Sequence, residues 1–333
     1  MRIRTPDLLK GIAVILMVMV HLTELFATQE IYDSFVGKIL LFLGGPPAAP
    51  VFMAVMGYFL AFSKKGLLFD VKRGVKLIVW GLALNTGLNL NLFYHIYTGA
   101  FQFSPWEYVF GVDILFLAGL SVIIIGLIKH FFRDRIWPYL IILLISVVIP
   151  DVIKAPESGG NSAYLWAYFY SESWWSYFPV VPWLAYVLAG TVFNLLEEDL
   201  KRIYHQFKWP IFAGTGIILV FTFRYGFNIS SHLEQYYHHG MLFFGFTIIF
   251  MIFWVIALHQ VTLHFNNMAT TYVEWLGKNV TSVYVFQWLI IGNIATIVYK
   301  TQSLFQLAGW FIMVLIISSL ASYYWHRIGK KAI

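Results

Sequence analysis

RTPDLLKGIAVILMVMVHLTELFA, residues Arg4–Ala27, carries Arg4, Asp7 and Lys10 at its start and then runs almost wholly apolar, broken by His21 and Glu24. The stretch from Leu8 to Ala27 is long enough to cross a bilayer, which takes about 20 apolar residues. An ionisable side chain inside such a run is costly and marks a functional site by default. The step from Asp7 to His21 rises roughly 21 Å through a hydrocarbon core about 30 Å thick, so the imidazole lies deep and displaced toward the far leaflet. On a helix, Asp7, Lys10, His21 and Glu24 fall within roughly 60° of one line. That polar stripe must face the bundle interior or a wet cavity, because lipid would leave each group unsatisfied. The competing reading is a histidine hydrogen-bonded between helices for packing alone.

The rest of the chain has the same character. Of 333 residues, 60% are hydrophobic, 19% aromatic and 11% charged, which sets the chain apart from soluble globular domains. Apolar runs fall at about 8–27, 38–62, 74–93, 108–128, 137–150, 178–196, 208–223, 241–259, 279–299 and 304–325. The fold expected is all-α: a polytopic integral membrane bundle of about ten transmembrane helices, forming a single membrane-embedded domain over 1–333. Cysteine is absent, so disulfides, thiolate nucleophiles and cysteine-bound metals are excluded. The N-terminus has a signal-peptide outline but carries Asp7, Lys10 and His21, and it reads as a retained first span.

The net charge of +6 comes from basic residues that punctuate apolar runs, a pattern of topology and not of nucleic-acid binding. With the N-terminus inside, all but Lys38, Lys154, Arg224 and Lys300 of the 22 Lys and Arg, including Arg2, Lys330 and Lys331, fall in inside segments. This bias predicts a multi-pass protein of the cell (inner) membrane with both termini cytoplasmic and His21 toward the extracytoplasmic side. The second run is interrupted by Gly44-Gly45-Pro46-Pro47-Ala48-Ala49-Pro50. Broken helices in membranes line sites, or are simply kinked for packing. The longest loop, about 151–177, is aromatic, rich in Ser and Gly, and of a length that suits a lid.

Three segments together resemble the transmembrane acyltransferase superfamily, which includes the acyltransferase 3 proteins and the heparan-alpha-glucosaminide N-acetyltransferase-like proteins. Arg4-x-x-Asp7-x-x-Lys10-Gly11 followed by His21 is similar to its opening helix, and Pro50-Val-Phe52-Met-Ala-Val-Met-Gly57-Tyr58 to its second. Phe178-Pro179-Val-Val-Pro182-Trp183-Leu-Ala-Tyr186 resembles the FPxxPW segment of the N-acetyltransferase-like branch. Leu276-Gly277-Lys278-Asn279 leading to Tyr284 is similar to a late helix of the family. The family commonly has Arg where Lys10 stands and often His where Gln287 stands. Lysine keeps charge without bidentate phosphate geometry, and glutamine hydrogen-bonds without titrating. The resemblance implies transfer of an acyl group, most often acetyl, from cytosolic acetyl-CoA or another acyl-CoA to a hydroxyl or amine of an extracytoplasmic saccharide or glycolipid.

A thioester is already activated, so such an enzyme has to deprotonate the acceptor, position it and stabilise an oxyanion. A neutral histidine suits the first task, which makes His21 the general base, with Asp113 or Glu24 as its expected carboxylate partner. Arg4, Asp7, Lys10, Lys72, Arg73 and Lys76 form the expected inner rim for the CoA phosphates, or a contact to anionic lipid. Asn85, Asn89, Trp183, Tyr186 and Gln287 are candidates for oxyanion or acceptor contacts, and Arg224 for an anionic acceptor or for pairing with Glu234. His232, Glu234, His238 and His239 have no standard zinc spacing, so no metal is expected. P-loop, GxGxxG, GxSxG and HExxH patterns are absent from the sequence, which leaves NTPase, dinucleotide, serine-hydrolase and zincin readings without support. The alternative is a proton-coupled transporter or flippase of a small polar or glycolipid substrate, which has the same buried charges and broken helix but performs no chemistry.

Overall fold

The computed structural model describes residues 4–133, 135–156, 160 and 162–329. Arg2, Lys330 and Lys331 of the charge pattern, and 157–159 and 161 of the long loop, lie outside the described residues. In chain order the helices are α1 (Thr5–Leu25), α2 (Gln29–Asp33), α3 (Phe35–Gly44), α4 (Ala49–Ala61), α5 (Leu67–Leu88), α6 (Leu90–Tyr97), α7 (Pro105–Val109), α8 (Ile114–Phe132) and α9 (Trp137–Val152). They continue with α10 (Ser162–Phe169), α11 (Val180–Leu195), α12 (Glu197–Ser230), α13 (Leu233–Tyr237), α14 (Met241–His264), α15 (Met268–Lys278), α16 (Val280–Val298) and α17 (Leu304–Gly329). Among the described residues there is no strand, only the isolated bridges Ala27–Gln302 and Val112–Ser176.

The protein is an all-α integral membrane protein that crosses the bilayer several times. Among the described residues, seven segments are long and apolar enough to span: α1, α3 with α4, α8, α12, α14, α16 and α17. The other three apolar runs are helical too. Helices α9 and α11 are apolar but shorter, and α5 carries Asp70, Lys72, Arg73 and Lys76 in its first half. The break in the second run is real, since α3 ends at Gly44 and α4 begins at Ala49. Two boundaries move for local reasons. The run at 108–128 becomes helical only at Ile114, where the Asp113 side chain accepts from Leu115 N at 2.9 Å and Phe116 N at 3.2 Å and so caps α8. Helix α12 begins at Glu197, well before its apolar run, because Glu197, Glu198 and Asp199 sit favourably at its positive N-terminal end.

The chain divides into two compact units. The first comprises Met1–Ala49, Thr86–Pro105 and Ala257–Ile333, with α1 at its centre packed on α3, α15, α16 and α17. Apolar association has little driving force inside lipid, so close backbone approach takes over. A Cβ on Gly11 would lie 1.9 Å from Val273 O, and one on Gly277 would lie 1.8 Å from Asp7 O. These two glycines let α1 and α15 meet backbone to backbone, which fixes the height of α1 in its unit. The second unit comprises Pro50–Asn85 and Trp106–Ile256, built around α11, whose residues from Val180 to Thr191 are nearly all buried. An equivalent pair, Gly57 against Val187 O and Gly190 against Ala54 O, joins α4 to α11.

Candidate active site

In the first unit the opening motif is held by ion pairs. Arg4 gives Nε to Glu274 Oε1 at 2.8 Å and its terminal nitrogens to Thr262 O at 2.9 Å and Phe265 O at 3.3 Å. Those carbonyls end α14, so the guanidinium caps that helix while pinning α1 to α15 through the buried Glu274. Thr5 Oγ1 adds contacts to His259 Nδ1 at 3.0 Å and Thr262 Oγ1 at 3.2 Å. Asp7, almost fully buried, pairs with Lys10 at 3.1 Å one turn on.

Beyond Lys10, α1 is wholly apolar from Gly11 to Val20, ten residues, until His21. The His21 ring lies over Trp288 of α16, with centroids 4.1 Å apart and planes 35° apart. Its Nδ1 is buried and has no hydrogen-bond partner. On α16, Val283 packs with Val14 of α1 and Leu276, while Ile291 packs with Val18 and Leu22. Gln287 stands midway on that stripe, one turn from each, and is fully buried with both Oε1 and Nε2 unpartnered. The α1–α16 seam is therefore apolar at both ends and polar in the middle.

Beyond His21, the carbonyls of Leu25 and Phe26 accept from Lys300 N at 2.9 Å and Gln302 N at 2.8 Å, which closes the end of α1. Lys300 Nζ sits 3.8 Å from the centre of the Tyr32 ring. Burial holds this ammonium below its ordinary value, opposed by the charges of Glu24 and Asp33. Burial first, and then Glu24, Asp33 and Tyr299, push the Tyr32 phenol up to about 12. Glu24 thus shares its surroundings with a cation and a phenol, a grouping not foreseen from the sequence. Asn89 precedes α6, and Asn91, two residues on, donates its backbone N–H to Asn293 Oδ1 at 2.9 Å and its side-chain amide to Asn293 O at 3.0 Å on α16, while the Asn293 amide nitrogen donates to Gly87 O at 2.9 Å. This amide pair ties α6 to α16 and was likewise not singled out in the sequence.

The remaining candidates belong to the second unit. Asp113 is the α8 cap, and Asn85 gives its amide hydrogens to Val109 O at 3.1 Å and Gly111 O at 2.7 Å, holding the turn before that cap. Lys72, Arg73 and Lys76 are exposed along α5, and Arg224 is exposed on α12. Trp183 and Tyr186 of the FPxxPW segment are fully buried. Trp183 Nε1 donates to Tyr237 O at 2.8 Å, and its ring meets Phe178 edge-on at 4.6 Å.

Tyr186 Oη lies 2.8 Å from His239 Nε2, and His239 Nδ1 lies 2.7 Å from Tyr236 O. A carbonyl only accepts, so Nδ1 carries the ring proton and Tyr186 donates to Nε2. Burial pushes the His239 imidazole down to about 4, with the Tyr236 carbonyl opposing and the neighbouring His238 adding to the drop. His239 is 4% exposed. It is buried because Trp183, Tyr236 and Phe243 close over it, and Tyr186 is 53 residues away in the chain, beyond the reach of any local pattern.

Fold and site together define a polytopic helical membrane protein with an imidazole and an amide unsatisfied in the seam of its first span. The family model for the heparan-alpha-glucosaminide N-acetyltransferase catalytic domain matches residues 2–223, and the chain belongs to that family. It is thereby placed among membrane acetyltransferases. Comparison with curated proteins and with solved structures gives no match. His21 lies inside the matched region, whereas Gln287, Trp288 and His239 lie beyond it.

Proposed function

We propose that the protein transfers an acyl group, acetyl in the first instance, from cytosolic acyl-CoA to a hydroxyl or amine of an extracytoplasmic saccharide, with His21 as general base. The observation that carries this reading is the buried, unpartnered Nδ1 of His21 in a span that is otherwise apolar from Gly11 to Val20. A packing histidine would have found a partner for that nitrogen, since an unsatisfied buried polar atom is destabilising. The imidazole takes the acceptor proton as the acceptor's oxygen or nitrogen attacks the thioester carbonyl carbon. The carbonyl electron pair moves to oxygen, returns as the C–S bond breaks, and the departing thiolate takes the proton from the imidazolium.

With both termini in the cytoplasm of a cell (inner) membrane, Lys10 and Asp7 lie at the donor side and His21 roughly 21 Å deeper, a span matching an extended pantetheine arm. Lys72, Arg73 and Lys76, exposed on α5, remain proposed contacts to the CoA phosphates, and Arg4 contributes by fixing α1 against α14 and α15. Asp113 and, second, Glu24 on the same helix remain the carboxylates proposed for His21, and Asn85, Asn89, Trp183, Tyr186 and Arg224 remain proposed contacts toward the acceptor. The test is acetyl transfer by purified protein in nanodiscs, with radiolabelled acetyl-CoA and glucosamine-containing acceptors. Transfer by wild type and none by His21→Ala supports the reading. Movement of a glycolipid across the bilayer without acetylation would instead establish the transporter alternative.

A further inference from the structure

We propose that Gln287 is the group that grips the reacting thioester: its Nε2 donates to the thioester carbonyl oxygen and its Oε1 accepts the first amide N–H of the pantetheine arm. The inference rests on acyl-CoA being the donor and deepens that reading by naming what holds the transferred group. Among the described residues, Gln287 alone leaves two buried side-chain atoms without a partner. It is fully buried in the α1–α16 seam, between the Val14–Val283 contact and the Val18–Ile291 contact, and next in sequence to the Trp288 on which His21 rests. An amide placed there for packing leaves the full desolvation penalty of a donor and an acceptor without offset.

A carboxamide with both ends unsatisfied calls for a partner that both accepts and donates. An anion would satisfy only Nε2, a cation only Oε1, and an acyl chain neither. A pantetheine thioester offers a carbonyl acceptor and an N–H donor separated by sulfur and two methylenes, close enough for both ends of one carboxamide. When the acceptor attacks, the carbonyl electron pair moves onto the oxygen that faces Nε2, so the bond strengthens as charge develops. When the pair returns and the C–S bond breaks, the charge leaves on the thiolate, which takes the proton held by His21. Gln287 neither gains nor loses a proton.

Gln287→Met keeps the shape and removes both hydrogen-bonding ends, and Gln287→Asn keeps the amide but withdraws it by one methylene. The measurements are melting temperature with and without acetyl-CoA, and kcat and KM for acetyl transfer, all in nanodiscs. In Gln287→Met, kcat falls about 10²–10³-fold and the acetyl-CoA-induced rise in Tm shrinks. Its ligand-free Tm rises by a few degrees, roughly as expected when an unpaired buried amide becomes apolar. Gln287→Asn loses about tenfold in kcat, an intermediate loss for a displaced donor. A structural glutamine predicts the opposite, a lower ligand-free Tm with kcat retained, and that result overturns the proposal. Should the methionine variant fail to fold, an asparagine variant with wild-type kcat overturns it equally. Wild type that turns over acetyl-CoA beside an unimpaired Gln287→Met sinks this inference alone. Wild type that neither binds nor turns over acetyl-CoA removes the donor assignment and this inference with it.

Discussion

Replacing Gly277 by alanine puts a methyl where α15 meets α1. The new Cβ would stand 1.8 Å from Asp7 O and 2.9 Å from Gly11 N, both backbone atoms that no rotamer change can move aside. Opening the first distance to the 3.4 Å of an ordinary contact displaces α1 against α15 by roughly 1.6 Å. Overpacking of this kind costs about 1–3 kcal/mol, and more where backbone must move. The displaced helix carries Asp7, Lys10 and His21 together, and a misplacement of about 1 Å at a reacting group lowers rate by about 10²-fold. The expected outcome is a Tm several degrees lower and at least a hundredfold loss of acetyl transfer, read by tryptophan-fluorescence melting and radiolabel transfer. Gly309→Ala on α17 is the control, since nothing lies within 4 Å of its added Cβ and alanine improves helix propensity by about 1 kcal/mol. If Gly277→Ala melts and turns over like wild type, α1 is not positioned by this crossing and the reasoning fails.

Lys10→Ala removes the cation paired with Asp7 at the proposed donor side and is expected to weaken acetyl-CoA binding about tenfold, and further when combined with Lys72→Ala and Arg73→Ala. Unchanged affinity by calorimetry in the triple variant would exclude the inner-rim assignment. Stability is expected to depend on pH through His239, whose proton affinity in the fold is set at about 4 against an ordinary 6.5. The unfolded chain binds the extra proton first, so stability is intact above pH 6.5, declines as pH falls toward 4, and levels off below it, by about 3 kcal/mol in all. His238 is lowered to about 4 by burial and acts in the same direction. A His239→Leu variant whose melting curve keeps the full acid slope would assign that slope elsewhere.

The spans were legible because each apolar run declares its own length and flanks. The break between α3 and α4 was readable for the same local reason, since Gly44, Gly45, Pro46 and Pro47 are adjacent. Boundaries failed where charge entered the helix: the acidic start of α12 does not look like membrane, although it favours the helix end it occupies. His21 stood out as a lone imidazole in a run of hydrocarbon. Arg4 did not disclose its engagement with Glu274, 270 residues away, nor Tyr186 its bond to His239, because pairing between distant segments leaves no periodicity. Gln287 entered the candidate set as one polar amide among several. Only the seam around it, apolar on either side and empty of partners at its centre, distinguishes it from Asn85 and Asn293, whose amides are tied to backbone carbonyls.

The measurement closest to the central claim is single-turnover acetyl transfer by His21→Ala alongside acetyl-CoA binding by the same preparation. The account predicts a folded protein that binds acetyl-CoA with near wild-type affinity and transfers at least 10²–10³-fold more slowly, the share typical of a positioned base. Wild-type transfer by that variant would contradict it.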